Sequence, residues 1–158
     1  MADLLTGLNA QAWIGPVADD TVDTDTEFLA LTPYTAIGMI ETISEFGDTS
    51  EDVTANVINE GRTRHAKGTR DAGTCTLTCF WKPDDPGQQD LMDAEQTSNR
   101  FAIKISPRDR LTPAGTDSIQ YFRGLVRSAR RGELSANEPQ RITFEIGIDS
   151  AITYVASA

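Results

Sequence analysis

The sequence predicts a mainly β protein of the α+β class. We expect an antiparallel β-sandwich or barrel with one short flanking helix, at about residues 86–97. The first observation is a strict alternation of apolar and polar residues over 141–149, which is typical of a strand with one buried side. The second is the recurrence of such segments, about eight in all, between turn-forming residues. The length of 158 residues fits one domain, 1–158, that can bury a sizeable core.

The first third of the chain is weakly patterned. Residues 1–12 are predicted to form an N-terminal arm, and residues 27–31 alternate weakly and are predicted to form a short strand. Residues 36–46 are the first long strand candidate. Their alternation is imperfect because Glu41 and Glu45 share the parity of two isoleucines. Such a strand fits a surface that is apolar at one end and solvent-exposed at the other.

Residues 48–72 are predicted to form a long extended loop. Connections of this length are usually functional or disordered. The segment is acidic in its first part and basic in its last part, which permits head-to-tail charge pairing between copies. We therefore expect it to contact neighbouring subunits or rings. The charged residues concerned are Asp48, Glu51, Asp52, Arg62, Arg64, Lys67 and Arg70.

A strand and a helix follow this loop. Over residues 74–81, threonines alternate with Cys75, Leu77, Cys79 and Trp81, which indicates a half-buried strand. An N-cap at Asp84 or Asp85, followed by Pro86, then indicates the start of the helix. The remaining strand candidates are 101–105, 119–128, 141–149 and 152–155.

Charge is divided unevenly along the chain. Residues 1–60 carry −12 and residues 61–158 carry +2, which together give the net charge of −10. Opposite signs on different parts of one chain favour contacts between copies. A basic run at Arg127, Arg130 and Arg131 lacks interleaved aromatic residues, so we interpret it as a partner for acidic residues of another copy rather than as a nucleic-acid site.

The two cysteines are predicted to be buried thiols. On one strand Cys75 and Cys79 would lie ~13 Å apart at ~3.3 Å per residue, which is too far for a disulfide. Their spacing, with no second Cys or His cluster, does not match a zinc site.

No motif for catalysis or cofactor binding is present. His65 is the only histidine and has no nucleophile beside it, and the sequence contains no phosphate-binding loop, nucleophile elbow or metalloprotease motif. We therefore expect a structural protein that is not an enzyme and has no metal or cofactor. No segment approaches the apolar length of a membrane span, and the N-terminus lacks secretory features, so no membrane association is expected.

A long loop, a glycine-rich corner, a strand and a short helix follow one another in this chain. The residues that define this order and the strands after it are Gly61, Gly68, Asp71, Gly73, Trp81, Asp84, Gln88, Leu91, 101–105, Phe122, Gly124, 142–148 and 152–155. The pattern resembles the major tail tube proteins of long-tailed, lambda-like, non-contractile bacteriophages over roughly residues 36–155. In contrast to the lambda prototype, we expect one domain without a trailing immunoglobulin-like module.

The resemblance implies a virion structural protein that stacks as hexameric rings into the tail tube, the conduit for DNA during ejection. It implies assembly in the host bacterial cytoplasm, contacts with tape-measure, tail tip and terminator proteins, and passage of double-stranded DNA without sequence-specific binding. Four strands of each copy would join a ring-wide barrel with a polar inner wall. An acidic wall would offer DNA phosphates few Lys or Arg contacts. The candidate lumen residues are Glu41, Glu45, Thr143, Glu145 and Asp149.

Two alternatives remain open from the sequence. The first keeps the fold but changes the role, to a contractile-tail inner tube, a type VI secretion tube, a tail terminator or a distal tail ring. The second is a β domain that binds carbohydrate or another small ligand through a platform of aromatic residues. The candidate aromatic residues are Trp13, Trp81, Tyr34 and Tyr121, although Trp81 shares the apolar parity of its strand, which favours a core role.

Overall fold

The structure is a computed structural model and describes residues 4–158. It confirms the predicted mainly β fold, with one large antiparallel sheet, a separate two-stranded sheet and two helices. The predicted N-terminal arm falls partly on residues 1–3, outside the described residues. The elements are β1 (Gln11–Val17), α1 (Asp25–Ala30), β2 (Thr35–Ala36), β3 (Ile40–Ile43), β4 (Thr49–Val57), β5 (Arg62–Asp71), β6 (Thr74–Phe80), α2 (Pro86–Glu95), β7 (Phe101–Ser106), β8 (Ile119–Arg131), β9 (Arg141–Ile148) and β10 (Thr153–Val155).

The long strand β8 connects the two halves of the large sheet. The strand order is β2-β1-β7-β8-β9-β6-β3, and β10 also pairs with β8. Residues 120–124 of β8 pair with β7, whereas residues 124–131 pair with β9. Since inward side chains from both halves share one hydrophobic core, the sheet folds over on itself along β8.

The main core is built by the predicted alternation. In β6 the residues Cys75, Leu77 and Cys79 are fully buried, and Phe144 and Ile146 of β9 pack beside them. The polar residues between them point to the other side of the sheet. Burial of one side of each strand therefore fixes the register across β6 and β9.

A second, smaller core covers the outer side of the β1-β7-β8 half. Phe28 of α1 stacks on Tyr121 of β8 with ring centroids 5.5 Å apart. Arg123 of β8 binds the loop that precedes α1. Its guanidinium lies 3.2 Å from a carboxylate oxygen of Asp20 and 3.2 Å from one of Asp23. One half of the sheet is thus covered on both sides.

Helix α1 corrects the predicted strand at 27–31. Thr24 caps the helix, and its side chain and that of Glu27 bond each other's backbone N–H groups in a capping box. This Thr-x-x-Glu spacing is a helix-start signature in the sequence. Its favourable local hydrogen bonds outweigh the weak alternation that indicated a strand.

The strand predicted over 36–46 is broken into β2 and β3. Met39, between them, has a φ of 57°, which a continuous strand does not permit. The break coincides with the start of α2, where the Gly38 N–H donates to Asp85 Oδ2 at 3.1 Å and the Gln88 amide donates to the Gly38 carbonyl at 3.0 Å. These bonds to the helix replace ladder bonds at this point.

The segment predicted as an extended loop over 48–72 is a β-hairpin of β4 and β5, with a register shift between Ser50 and Asp52. Its turn contains Gly61, which has a φ of 60°. Nearly all of its residues are exposed, so the sequence has no alternation of buried and exposed positions there. The alternation of apolar and polar residues depends on burial, so it did not predict these strands.

Helix α2 lies close to its predicted bounds, with Asp85 as its N-cap, and neither helix of residues 4–158 is long and apolar enough to cross a membrane. Its key internal contact is the buried amide of Gln88. This amide donates to the carbonyls of Gly38 and Phe80, both at 3.0 Å, and accepts from the Lys82 N–H at 3.1 Å. Gln88 thereby joins α2 to β6 and to the break before β3.

We expect Gln88→Leu to lower the free energy of unfolding by about 2–4 kcal/mol, because it leaves three partly buried backbone polar groups without their partner. Denaturant unfolding followed by circular dichroism measures the change. Gln140→Leu is the matched control, since Gln140 is exposed and its side chain forms no hydrogen bond within residues 4–158, and should change stability by less than about 0.5 kcal/mol. Equal effects of the two substitutions would contradict the assigned role.

Candidate functional site

Within residues 4–158, no helix lies over the outer side of the β3-β6-β9-β8 half, and this side is rich in hydroxyl groups. We call this surface the threonine face. Thr42 of β3 lies opposite Thr78 of β6, Thr78 lies opposite Thr143 of β9, and Thr143 lies opposite Arg130 of β8. A parallel row contains Thr76, Glu145 and Ser128. The first row crosses all four strands and the second crosses β6, β9 and β8, so the surface is continuous and polar.

The threonine face carries charges of both signs. Arg141 donates from Nε to Glu41 Oε2 at 2.8 Å, and its Nη1 lies 3.4 Å from Glu138. Arg127 extends over Gly147, whose missing side chain leaves room for it, and donates to the Thr74 hydroxyl. The arginines on this surface are therefore partly engaged by groups of the same chain.

The structure separates the five residues predicted to line a lumen. Thr143 and Glu145 lie on the threonine face, and Glu41 reaches it through Arg141. Glu45 lies beyond the end of β3, in a shallow depression at the base of the hairpin. Asp149 follows β9, where it forms an ion pair with Arg100.

Two strand edges of this half are free within residues 4–158. Strand β3 ends the sheet and pairs only with β6. Strand β8 extends beyond β7, so residues 125–131 pair with β9 on one side and with no strand on the other. Free edges expose unpaired backbone N–H and C=O groups that can pair with another chain.

The hairpin has a polar side and a second side, which we call the apolar side, where Val53, Ala55, Val57 and Ala66 lie beside Arg62 and Arg64. On the polar side His65 Nδ1 lies 3.0 Å from Asp52 Oδ2, and the Thr63 hydroxyl donates to Asn56 at 2.9 Å. On the apolar side Val53 lies opposite Ala66 and is 52% exposed. A two-stranded hairpin that buries so little is marginally stable alone, which favours a role as a contact surface.

The predicted contact residues of this segment fall into two groups. Arg70 pairs with Asp48 at 2.8 Å, and Arg64 pairs with Glu60 at 2.6 Å, so these charges stabilise the hairpin itself. Asp52 is likewise engaged by His65. Within the described residues, no ion pair is formed by the three others, which are Glu51, Arg62 and Lys67.

The four aromatic residues considered for ligand binding do not form one platform. The Arg131 guanidinium covers Trp81 at 3.7 Å from the ring centroid, and the Lys104 ammonium lies 4.5 Å from that of Trp13. Tyr121 is buried, and Tyr34 donates its hydroxyl to the Phe28 carbonyl. The stacking surfaces are occupied by residues of the chain itself.

Two observations on the site were not available from the sequence. One is the free edge along residues 125–131, which results from β8 being much longer than β7. The other is the position of Arg127, which follows a register shift between Val126 and Ser128. The basic run at Arg127–Arg131 was the only signal of this edge.

Comparison with known proteins identifies the fold. No protein-family model and no curated protein sequence matches the chain. A chain of the anti-feeding prophage baseplate is similar in structure, with a TM-score of 0.70, 12% identity, and coverage of 99% of this chain and 98% of that one. A chain of the sheath–tube complex of an extracellular contractile injection system (PVC) gives a TM-score of 0.67 at 11% identity, with coverage of 99% and 94%.

The SPP1 tail tube gives a TM-score of 0.67 at 12% identity, with coverage of 97% of this chain and 80% of that one. The chain therefore has the tail tube fold over nearly its whole length. This fold is common to the SPP1 tail tube and to components of contractile systems.

The buried cysteines give a direct test of the core beneath the threonine face. Burial raises the pKa of the Cys75 and Cys79 thiols to about 12, so the native protein holds both as neutral thiols at pH 8. Because the thiolate is the reactive form, we expect no reaction with a thiol-specific disulfide reagent in buffer and two reactive thiols per chain in denaturant. Rapid labelling of the native protein, detected by absorbance or mass spectrometry, would contradict this account.

Proposed function

We propose that this chain is a virion structural protein that polymerises as stacked hexameric rings into a phage tail tube of the non-contractile type. The tube is the conduit for DNA during ejection, and its other partners are the tape-measure, tail tip and terminator proteins. The tail tube fold supports the proposal, and the observation that carries it is the uncovered threonine face between two free strand edges. The described residues form one tube-building unit.

In the proposed tube the threonine face is the lumen wall. A wall must be polar because water and DNA occupy the lumen, and hydroxyl groups meet this need without fixed charge. Our expectation of an acidic wall is modified, since Arg127, Arg130 and Arg141 accompany Glu41 and Glu145 on this face. Because Arg141 already donates a hydrogen bond to Glu41, this arginine is less able to bind a DNA phosphate.

The charge of the threonine face differs from that of the whole copy. Each copy carries a net charge of −10, whereas the face has three arginines and two glutamates. Salt screens charges farther than roughly 8 Å from the DNA, so the residues of the face itself set its electrostatic contact with DNA. In the proposed tube, DNA passes a wall of hydroxyl groups and nearly balanced charge without sequence recognition.

We assign contacts between subunits or rings to the hairpin of β4 and β5. In residues 4–158 its two strands pack extensively only against each other, and its apolar side is exposed. Burying Val53 and the fully exposed Ile58 against a second copy would stabilise an element that is weak alone. Arg62 and Lys67 supply charge for the acidic surface of a neighbour.

Negative-stain electron microscopy of the purified protein over a concentration series tests the proposed function. We expect hollow tubes, or rings with six-fold symmetry that stack as the concentration rises. Rings that never stack would instead indicate a terminator or a distal tail ring. A monomer at every concentration, including after seeding with isolated tail tips, would contradict a tube protein.

The hairpin can be removed without changing the large sheet. Asp52 and Lys67 already pair, so residues 53–66 can be replaced by an Asn-Gly turn that joins them. We expect a folded protein whose free energy of unfolding changes by less than about 1 kcal/mol, because the deleted part packs on no other element. We expect no tubes by electron microscopy.

A milder test reverses charge with Arg62→Glu and Lys67→Glu, which should weaken tube formation at low salt. Lys82→Glu is the control, since Lys82 is exposed and lies outside the hairpin. Normal tubes from the shortened protein would show that the hairpin is not part of the assembly interface.

A further inference from the structure

The backbone at Met39 adopts a left-handed conformation that its own side chain disfavours. Among residues 4–158, a positive φ occurs at Gly47, Gly61, Gly73, Asn9 and Met39. Glycine adopts this conformation without a steric cost and asparagine tolerates it, whereas a bulky residue there is an outlier. Met39, with a φ of 57°, therefore carries backbone strain that a glycine would remove.

The strain is imposed by hydrogen bonds on both sides of Met39. The Gly38 N–H donates to Asp85 Oδ2 at 3.1 Å, and the Gln88 amide donates to the Gly38 carbonyl at 3.0 Å. The Met39 carbonyl itself accepts from the Phe80 N–H at 2.8 Å. These bonds use no atom of the Met39 side chain, so they fix the backbone whichever residue stands at this position.

The Met39 side chain contributes little to the interior of the protein. The residue is 55% exposed, and it belongs to neither of the two cores. Backbone strain of this kind is typical of functional positions, and here internal packing does not require a methionine. A rigid backbone therefore presents an apolar side chain to solvent.

Met39 lies in the wall of a groove that other apolar residues share. The groove is lined by residues 7–10 and 39–43 and has a volume of about 710 Å³. Leu8, from the segment before β1, is 73% exposed. A groove of this size can take the side chains of a short segment, and exposed apolar residues along it favour a contact surface.

The tip of the hairpin supplies an apolar side chain for this groove. Ile58, in the turn between β4 and β5, is fully exposed, and the hairpin packs extensively only against itself. The hairpin is joined to the start of β6 at Thr74, whereas Met39 bonds to its end at Phe80, roughly 20 Å away at ~3.3 Å per residue. A head-to-tail contact between stacked copies therefore brings the tip and the groove together.

The charges beside the tip and beside the groove are complementary. Arg62 follows the turn and forms no ion pair within residues 4–158. The groove residues include no Lys or Arg. Next to the groove, Arg141 is shared by Glu41 and Glu138, which leaves a net negative charge for Arg62 of another copy.

We propose that the groove of residues 7–10 and 39–43 receives the hairpin tip of a second copy, with Ile58 inserted beside Met39. The inference rests on the proposed function for the stacking of copies. It adds the surface that the hairpin binds and the reason that a strained methionine stands in its wall. Burial of the two apolar side chains against each other stabilises the contact.

The first test separates assembly from stability with Met39→Gly. Relief of the backbone strain should leave the melting temperature unchanged or higher, whereas loss of the apolar side chain should raise the concentration needed for tubes at least fivefold. Ile58→Ser should have the same effect on assembly and none on melting. Leu111→Gly, which removes an exposed apolar side chain from the loop after β7, is the control and should assemble within about twofold of the wild type.

The second test detects the contact itself by cross-linking. A chain with both Met39→Cys and Ile58→Cys is assembled and treated with a short bis-maleimide, to which the buried Cys75 and Cys79 do not react. We expect a ladder of covalent oligomers on denaturing gels, because each copy is joined to one copy above and one below. Either substitution alone gives at most dimers, and the control pair Leu111→Cys and Ile58→Cys should give no ladder.

The outcomes distinguish this inference from the proposed function. Met39→Gly that assembles as well as the wild type, or tubes of the double-cysteine variant that give no ladder, would overturn the groove assignment and leave the proposed function intact. A lower melting temperature of Met39→Gly would show that Met39 has a structural role and would also overturn the assignment. A wild type that forms no tubes would overturn the proposed function and this inference with it.

Discussion

The structure depends on a strict division of polar and apolar side chains across the sheet. In β6 and β9 every second residue is buried in the core, and the residues between them form the threonine face. Burial of one side fixes the register of both strands, because a slip of one residue would expose Phe144 and Ile146. The same constraint that folds the chain thus creates a continuous polar surface on the opposite side.

The two halves of the sheet differ in whether their outer sides are covered. Helix α1 and the loop bound by Arg123 cover the outer side of the β1-β7-β8 half, while no helix in the described part of the chain covers the outer side of the other half. A four-stranded polar sheet with two free edges would be prone to uncontrolled pairing. The weakly stable hairpin is the feature through which we expect copies of the chain to meet in order.

Much of the fold followed from the sequence where burial imposes a pattern. The alternation over 141–149, the strand at 74–81 and a helix cap at Asp84 or Asp85 were all visible, and the structure selects Asp85. The hairpin was not, since exposed strands have no such pattern. Helix α1 was not predicted either, because the weak alternation over 27–31 indicated a strand, although the Thr-x-x-Glu spacing of its capping box is present in the sequence. The break at Met39 depends on hydrogen bonds to a helix far along the chain, which no local pattern contains.

The candidate site was less predictable than the fold. Thr143 and Glu145 lie on the threonine face as their parity required, while Glu45 and Asp149 lie beyond the ends of their strands. Position along an edge is set by the relative lengths of neighbouring strands. The free part of β8 exists only because β7 ends early, and this is a property of pairing that the order of residues does not reveal.

The central claim is that the threonine face lines the lumen of a tube. Helical reconstruction of the assembled protein by cryo-electron microscopy tests it most directly. We predict a hollow tube of stacked six-fold rings in which Thr78, Thr143 and Glu145 face the channel and the strands form one uninterrupted barrel. A tube in which these residues face outward, or lie buried between subunits, would contradict the account.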